Sequence, residues 1–179
     1  RLEKGFGRDQ CIAQRGIRDM AVVDSSALIH LGRINKLSLL KEFFGKIKIT
    51  KEVYDEVKEG KGASEIDEAC KTWIEVSKYS TGKRDELSRL EGIEQADASV
   101  LLLAQKESAI LLCNDYVLIR AARSKGITCW WITSFLLQCL KKRVLSKKGA
   151  KQILYELVES GMRLSNEVYA AILKEIEKP

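Results

Sequence analysis

The chain has 179 residues, 45% of them hydrophobic and 31% charged, with a formal net charge of +6. That length can bury a core of its own, and no apolar run approaches the roughly 20 residues a membrane-spanning helix needs. Five cysteines without a Cys-x-x-Cys pair, beside one histidine, argue against a zinc site and read as reduced core cysteines of a cytoplasmic protein.

Residues 1–19 scatter their charges and show no apolar stretch, so they do not read as a secretory signal. They also lack a helical or strand period. Met20, directly before the first strand, reads as a natural initiator, and residues 1–19 as an N-terminal extension or expression remnant. With five basic and three acidic residues there, the remainder keeps a net charge of +4. That is mildly basic and compatible with nucleic acid.

From Met20 onward, the pattern alternates. Met20–Val23 reads as a strand that ends at Asp24 and a helix start. Leu37–Phe44 reads as a helix with Leu37, Leu40, Phe43 and Phe44 on one side. Ile47–Ile49 is a short strand, and Thr50 caps a helix from Lys51 to about Glu59 that buries Val53 and Val57. Gly60 and Gly62 close it. A helix over Ser64–Lys71, an extended Trp73–Val76 and a turn at Ser80-Thr81-Gly82 follow. Helices are expected over Asp85–Leu90 and Glu94–Lys106, the second with Val100, Leu101, Leu103 and Ala104 as its apolar stripe. Ala109–Cys113 is an apolar strand, and Asp115 opens a helix over Tyr116–Lys125, closed by Gly126. Ile127–Trp130 is the last strand. Three helices, about Thr133–Lys142, Ser146–Glu159 and Ser165–Glu177, each begin at a Ser or Thr suited to capping. Strands alternating with helices give an α/β fold: a mostly parallel sheet of about five short strands flanked by helices, with a helical C-terminal tail. Residues 20–179 read as a single domain, with a core over 20–132 and a tail over 133–179.

Four acids stand out from the 25 in the chain by their context. Asp24 and Asp115 each follow an apolar strand, at the sheet edge where α/β proteins place ligands. Glu56 precedes Val57 and is expected on the buried side of its helix. Asp97 sits three and four residues before Val100 and Leu101, on the core-facing stripe. Gathered carboxylates repel one another unless a cation neutralises them, and oxygen donors without histidine suit Mg²⁺ or Mn²⁺. Glu94, one turn before Asp97, either shares that face or is a solvated first-turn acid. Asn114 reads as a turn residue or a holder of a ligand. Ser25 and Ser26 either cap the first helix or orient Asp24 or a metal's water.

Other candidates are read against plainer roles. His30, on a buried helix, reads as structural. Trp130 and Trp131 follow an apolar strand and read as core more readily than as base-stacking residues. The basic run with Lys141, Lys142, Arg143, Lys147, Lys148 and Lys151 is either a solvated helix end or a phosphate track. Arg120 and Arg123, following the Asp115 corner, are better placed to meet a phosphate backbone near the acids.

The ordered set Val22-Val23-Asp24-Ser25-Ser26, Thr50-Lys51-Glu52-Val53-Tyr54-Asp55-Glu56-Val57, Ala96-Asp97 leading to Leu101–Ala104, and Leu111-Leu112-Cys113-Asn114-Asp115 resembles the PIN-domain family. This is the ribonuclease fold of VapC-type toxins and of several RNA-processing nucleases. Where that family usually has Thr-x-Asp after its fourth strand, this chain has Cys113-Asn114-Asp115, which lacks the threonine and keeps the aspartate. The tail around Ser160–Ser165 is similar to a prokaryotic PIN subgroup found near toxin–antitoxin loci, and segment 87–120 to PIN endonucleases of ribosomal RNA maturation. The resemblance implies a three-layer PIN-like fold. It further implies that Asp24, Glu56, Asp97 and Asp115 carry one or two Mg²⁺ or Mn²⁺ ions for RNA hydrolysis, with a possible small antitoxin as partner. The alternative is a catalytically silent scaffold that binds RNA or a protein. PIN toxins are usually dimers, and the stripe Val168, Tyr169, Ile172, Leu173 and Ile176 could pack on a second subunit of a homodimer or on its own chain.

Overall fold

The computed structural model describes residues 20–60, 62–78 and 81–178; the expected extension over 1–19 lies outside the described residues. In chain order the elements are β1 (Ala21–Val23), α1 (Ser25–Arg33), α2 (Ser38–Phe44), β2 (Ile47–Thr50), α3 (Lys51–Val57), α4 (Ala63–Cys70), β3 (Ile74–Ser77) and α5 (Thr81–Glu91). Then follow α6 (Gln95–Glu107), β4 (Ile110–Leu112), α7 (Tyr116–Ser124), β5 (Cys129–Trp130), α8 (Ile132–Lys141), α9 (Lys147–Glu159) and α10 (Asn166–Glu177).

The five strands form one sheet in the order β3-β2-β1-β4-β5, with every neighbouring pair parallel. Parallel pairing follows from the helices between successive strands, because a parallel neighbour can be reached only by a crossover. β1 and β4 are buried along their whole length and wholly apolar, as strands covered on both faces must be. The sheet grows from β1 through β2 to β3 in one direction. The chain then returns through α5 and α6 to place β4 on the other side of β1. The order therefore reverses between β1 and β4, and a crevice opens there beyond the strand ends. With helices on both faces, the architecture is the expected three-layer α/β arrangement.

The expected core faces are observed. Leu37, Leu40, Phe43 and Phe44 are buried, as are Val53, Val57, Val100, Leu101, Leu103 and Ala104. Trp130 is buried and packs edge-on to Phe43, with ring centroids 5.9 Å apart, so it belongs to the core and not to a stacking surface. Phe44 stacks on Phe135 of α8 at 5.7 Å, which ties the helical tail to the sheet. In the tail, Ile172 and Ile176 of α10 are fully buried and α10 packs on both α8 and α9. The inner part of the α10 stripe is thus covered within its own chain, while Val168, Tyr169 and Leu173 are half-buried. Cys70, Cys113 and Cys139 are free thiols, and Cys113, Cys129 and Cys139 are buried.

Two boundaries differ from the sequence expectation. The turn expected at residues 80–82 is already helix from Thr81, since α5 runs from Thr81 to Glu91. Ser146 and Ser165 cap α9 and α10 as expected, accepting from Gly149 N and Val168 N. Thr133, however, does not cap α8. That helix starts at Ile132 with Trp131 in the capping position and no side-chain bond, while Thr133 is buried inside the first turn. Burial of the helix start against the sheet replaces local capping chemistry there.

Gly62 adopts φ +95°, and a Cβ on it would lie 2.9 Å from the carbonyl carbon of Gly32. This close approach seats α4 on α1. Gly62→Ala should lower stability by about 1–3 kcal/mol, read as a shift in urea midpoint. Gly60→Ala, at φ +110° but with nothing within 4 Å of its Cβ, should cost less.

Candidate active site

Asp24 is the residue immediately past β1, and its backbone N–H donates to Leu112 O of β4 at 3.0 Å. It therefore stands at the β1/β4 crevice by strand pairing alone. It is also the N-cap of α1, with its side chain accepting from Ser26 N at 3.1 Å. Only 4% of it is exposed. Burial pushes its carboxyl above the ordinary carboxylate range. Hydrogen bonds from Ser26 and Ser25 oppose the rise, and the negative charge of Asp115 adds to it.

Ser26 is the residue that orients this acid. Its hydroxyl donates to Asp24 Oδ2 at 2.6 Å and accepts from Asn114 N at 2.8 Å. One side chain thus ties the segment after β4 to the acid after β1. Ser25 and Ser26 are both candidates for this supporting role, and Ser25 takes it less directly. It is buried and acts on Asp24 through its backbone. The capping rule holds the clue to the difference, since a carboxylate at the N-cap meets the residue two positions on. Asn114 contributes its backbone N–H to this link.

Asp115 caps α7, accepting from Leu118 N at 2.8 Å, and is exposed. Asp97 lies in the first turn of α6, half-buried. Its carboxyl is pushed up to about 7, first by burial and then by the charges of Asp24, Asp115, Glu94 and Glu56. That single dependence joins all the sequence-predicted acids. Four carboxyl groups, from the ends of β1 and β4 and from α3 and the start of α6, bear on Asp97 at one end of the sheet.

Glu56 differs from the expectation in one respect. It is exposed, not turned to the buried side of α3, because Val53 and Val57 already fill the inward positions of that two-turn helix. From the rim its charge still reaches Asp97. Glu94 stands at the N-cap position of α6, exposed and without a side-chain capping bond. Its charge also bears on Asp97, so it shares the site face instead of serving the helix alone.

Further contacts fix the framework. Ser99 Oγ of α6 donates to Thr50 Oγ1, the cap of α3, at 2.9 Å, and both residues are fully buried. This holds the Asp97 helix against the Glu56 helix. Arg84 of α5 pairs with Glu52 Oε1 of α3 at 2.7 Å, and Glu52 Oε2 is buried without a partner. Sequence reasoning missed these residues because nothing in their local pattern marks a contact between distant segments.

The other candidates fall elsewhere. His30 is half-buried on α1. Burial and the nearby Arg33 charge lower its pKa, and its Nδ1 has no hydrogen-bond partner. That fits a structural role. Arg120 and Arg123 lie exposed on α7, the helix that Asp115 opens. Lys141, Lys142 and Arg143 are exposed at the end of α8. Lys142 Nζ lies 4.0 Å from the centroid of Phe43, so part of that run is seated on the core.

A family model described as a PIN domain matches residues 20–178. The chain belongs to the PIN-domain family. Two solved structures are also similar. The protein PAE2754 of Pyrobaculum aerophilum is 17% identical at a TM-score of 0.47, covering 63% of this chain and 84% of its own. The PilT N-terminus domain protein SSO1118 of the archaeon Sulfolobus solfataricus is 18% identical at 0.44, covering 82% and 98%. No curated protein matches the chain in sequence.

PIN domains are generally nucleases and typically use divalent metals. The donor chemistry of this PIN domain fits such an ion. Its acids offer oxygen atoms alone, which hard divalent cations prefer, and their mutual repulsion is what a cation would relieve. Asp24, Glu56, Asp97 and Asp115 are the residues that would hold it. Among the described residues, no three Asp, Glu, His or Cys side chains form a ready-made metal cage.

Two expectations follow. An unfolded aspartate titrates near pH 4, whereas Asp97 titrates near 7 in the fold. Between those values the native state holds more protons, so this group's contribution weakens as pH rises. Urea melts in EDTA should show wild type losing stability from pH 5 to pH 8, with Asp97→Asn flattening that slope. Ser26→Ala should cost about 1–3 kcal/mol in the same assay, because it strands the Asn114 N–H and removes a donor from a buried carboxylate.

Proposed function

We propose that this PIN domain is an endoribonuclease that hydrolyses RNA phosphodiester bonds at the Asp24, Glu56, Asp97 and Asp115 site with Mg²⁺ or Mn²⁺. The observation that carries this reading is the gathering of acids at the β1/β4 crevice, where the Asp97 carboxyl is raised first by burial and then by the charges of Asp24, Asp115, Glu94 and Glu56. Acids kept together against their own repulsion are costly to stability, and a cation-dependent site is the economical reason for the arrangement. When bound, a divalent ion supplies Lewis-acid chemistry, activating water and stabilising charge on the phosphate. Asp24 is the fixed member, held by Ser26 and the α1 backbone. Asp97 is the adjustable member, poised to give up its proton near neutral pH. Asp115 and the rim acids Glu56 and Glu94 are exposed and reach the solvent side of the site.

The chain's basic residues serve the same reading. Arg120 and Arg123 supply positive charge beside Asp115, suited to an RNA backbone. We assign a toxin-like role with a small antitoxin partner on the resemblance of the four-motif set and the tail. Processing of ribosomal RNA is the other enzymatic setting. The absence of a ready-made metal cage among the described residues keeps a silent RNA- or protein-binding scaffold as the second reading. Of the α10 stripe, Ile172 and Ile176 are taken up by the chain's own packing, while Val168, Tyr169 and Leu173 are half-buried, so a homodimer would draw on those three.

Single-stranded RNA should be cut in Mn²⁺, spared in EDTA and cut again when Mn²⁺ is restored. Asp115→Asn should keep the fold, since asparagine caps helices about as well as aspartate, yet lose most of the activity, on the order of 100-fold or more. Gel analysis of end-labelled RNA reads both. Wild-type rates in the mutant would exclude this site, and Mn²⁺-independent inertness of the wild type would favour the scaffold.

A further inference from the structure

We propose that the outer face of α7, led by Tyr116, is a stacking platform for an unpaired RNA strand, so that the chain selects single-stranded over duplex RNA. This deepens the ribonuclease reading and rests on it. α7 divides sharply. Leu118, Ile119, Ala121 and Ala122 are buried against the sheet. Tyr116 and Val117 are each 52% exposed, among the most exposed large hydrophobic residues described.

Arg120 follows Tyr116 by four positions, just over one turn along the same outward face, about 6 Å on. Arg120 is exposed and takes part in no ion pair among the described residues. Arg123 continues the face one turn later. A ring and a guanidinium one turn apart match two features of an unpaired strand, a base face and the adjoining phosphate. In a duplex the bases are stacked on each other and offer no face to Tyr116.

Continuity with the acidic site supports the same occupant. Tyr116 is the residue next to Asp115, whose charge acts on both Asp24 and Asp97. A base seated on Tyr116 thus brings the strand to the acids. The sign of the charge discriminates as well. The acids would repel a polyanion, while Arg120 and Arg123 attract it just beyond them.

The test uses the full chain and a fluorescein-labelled 12-nucleotide oligouridine, with a blunt RNA duplex of equal length as the second probe. Anisotropy in EDTA separates binding from cleavage. Tyr116→Ala should weaken single-strand binding about tenfold, Tyr116→Trp should restore it, and duplex binding should change less than twofold. Arg120→Ala should weaken both probes and lower the slope of log affinity against log salt by about one. In Mn²⁺, Tyr116→Ala should raise KM and leave kcat within about twofold. Equal single-strand binding by wild type and Tyr116→Ala overturns the platform. So does a wild-type dimer that Tyr116→Ala dissociates by light scattering, which would assign the face to self-association. If the wild type binds as expected but cuts nothing in Mn²⁺, the nuclease reading fails and the platform stands.

Discussion

A carboxylate with almost no exposed surface sits on the seam between β1 and β4, and much of the molecule is arranged around holding it there. An acid taken out of water is stable only with partners. Asp24 has the first-turn amide of α1, the Ser26 hydroxyl and the start of a helix whose dipole favours negative charge. These act against the burial and the neighbouring acids, and burial still prevails, since its carboxyl remains raised. Asp24 is thus a restrained but unfinished ionic site, short of positive charge.

The other acids arrive by different routes, and each route has its own fastening. Asp115 comes from β4 through the Asn114–Ser26 link. Asp97 comes on α6, which Ser99 pins to Thr50 at the end of β2. Glu56 rides on α3, steadied by the pairing of Arg84 with Glu52 one turn earlier. The fastenings are hydroxyls, amides and one ion pair set just outside the acids, so they fix position without neutralising the acids' charge. The framework is fixed by neutral groups and one outlying ion pair, and the acids it positions keep their charge uncompensated.

The strand and helix sequence was readable because the apolar periods are clean, and Asp24, Asp97 and Asp115 were readable because they interrupt or end those periods. The reversal of strand order at β1/β4 was not readable, since no local pattern says on which side of β1 the fourth strand lands. Glu56 was misjudged because α3 has only two turns, and in so short a helix neighbouring positions on either side of one apolar residue face very differently. Ser26 was one of two adjacent serines, and only the geometry of a capping carboxylate separates them. The tail's first helix lacks a polar cap because tertiary burial supplied what local chemistry usually does. The strand order and the uncapped start of α8 are contacts between distant segments overriding rules about near neighbours, whereas Glu56 and Ser26 turn on local geometry finer than the apolar pattern resolves.

The pairing of Val23 with Leu112 spans most of the core's sequence. Closure of so long a segment must precede the contacts that reward it. On a ribosome, Asp24 emerges early, but its seam partner and Asp115 are made much later. A nascent chain cut short before β4 carries Asp24, Glu56 and Asp97 with no crevice to gather them. The acids are thus distributed so that nothing short of nearly the whole core can gather them, and an interrupted synthesis leaves fragments in which they stay apart.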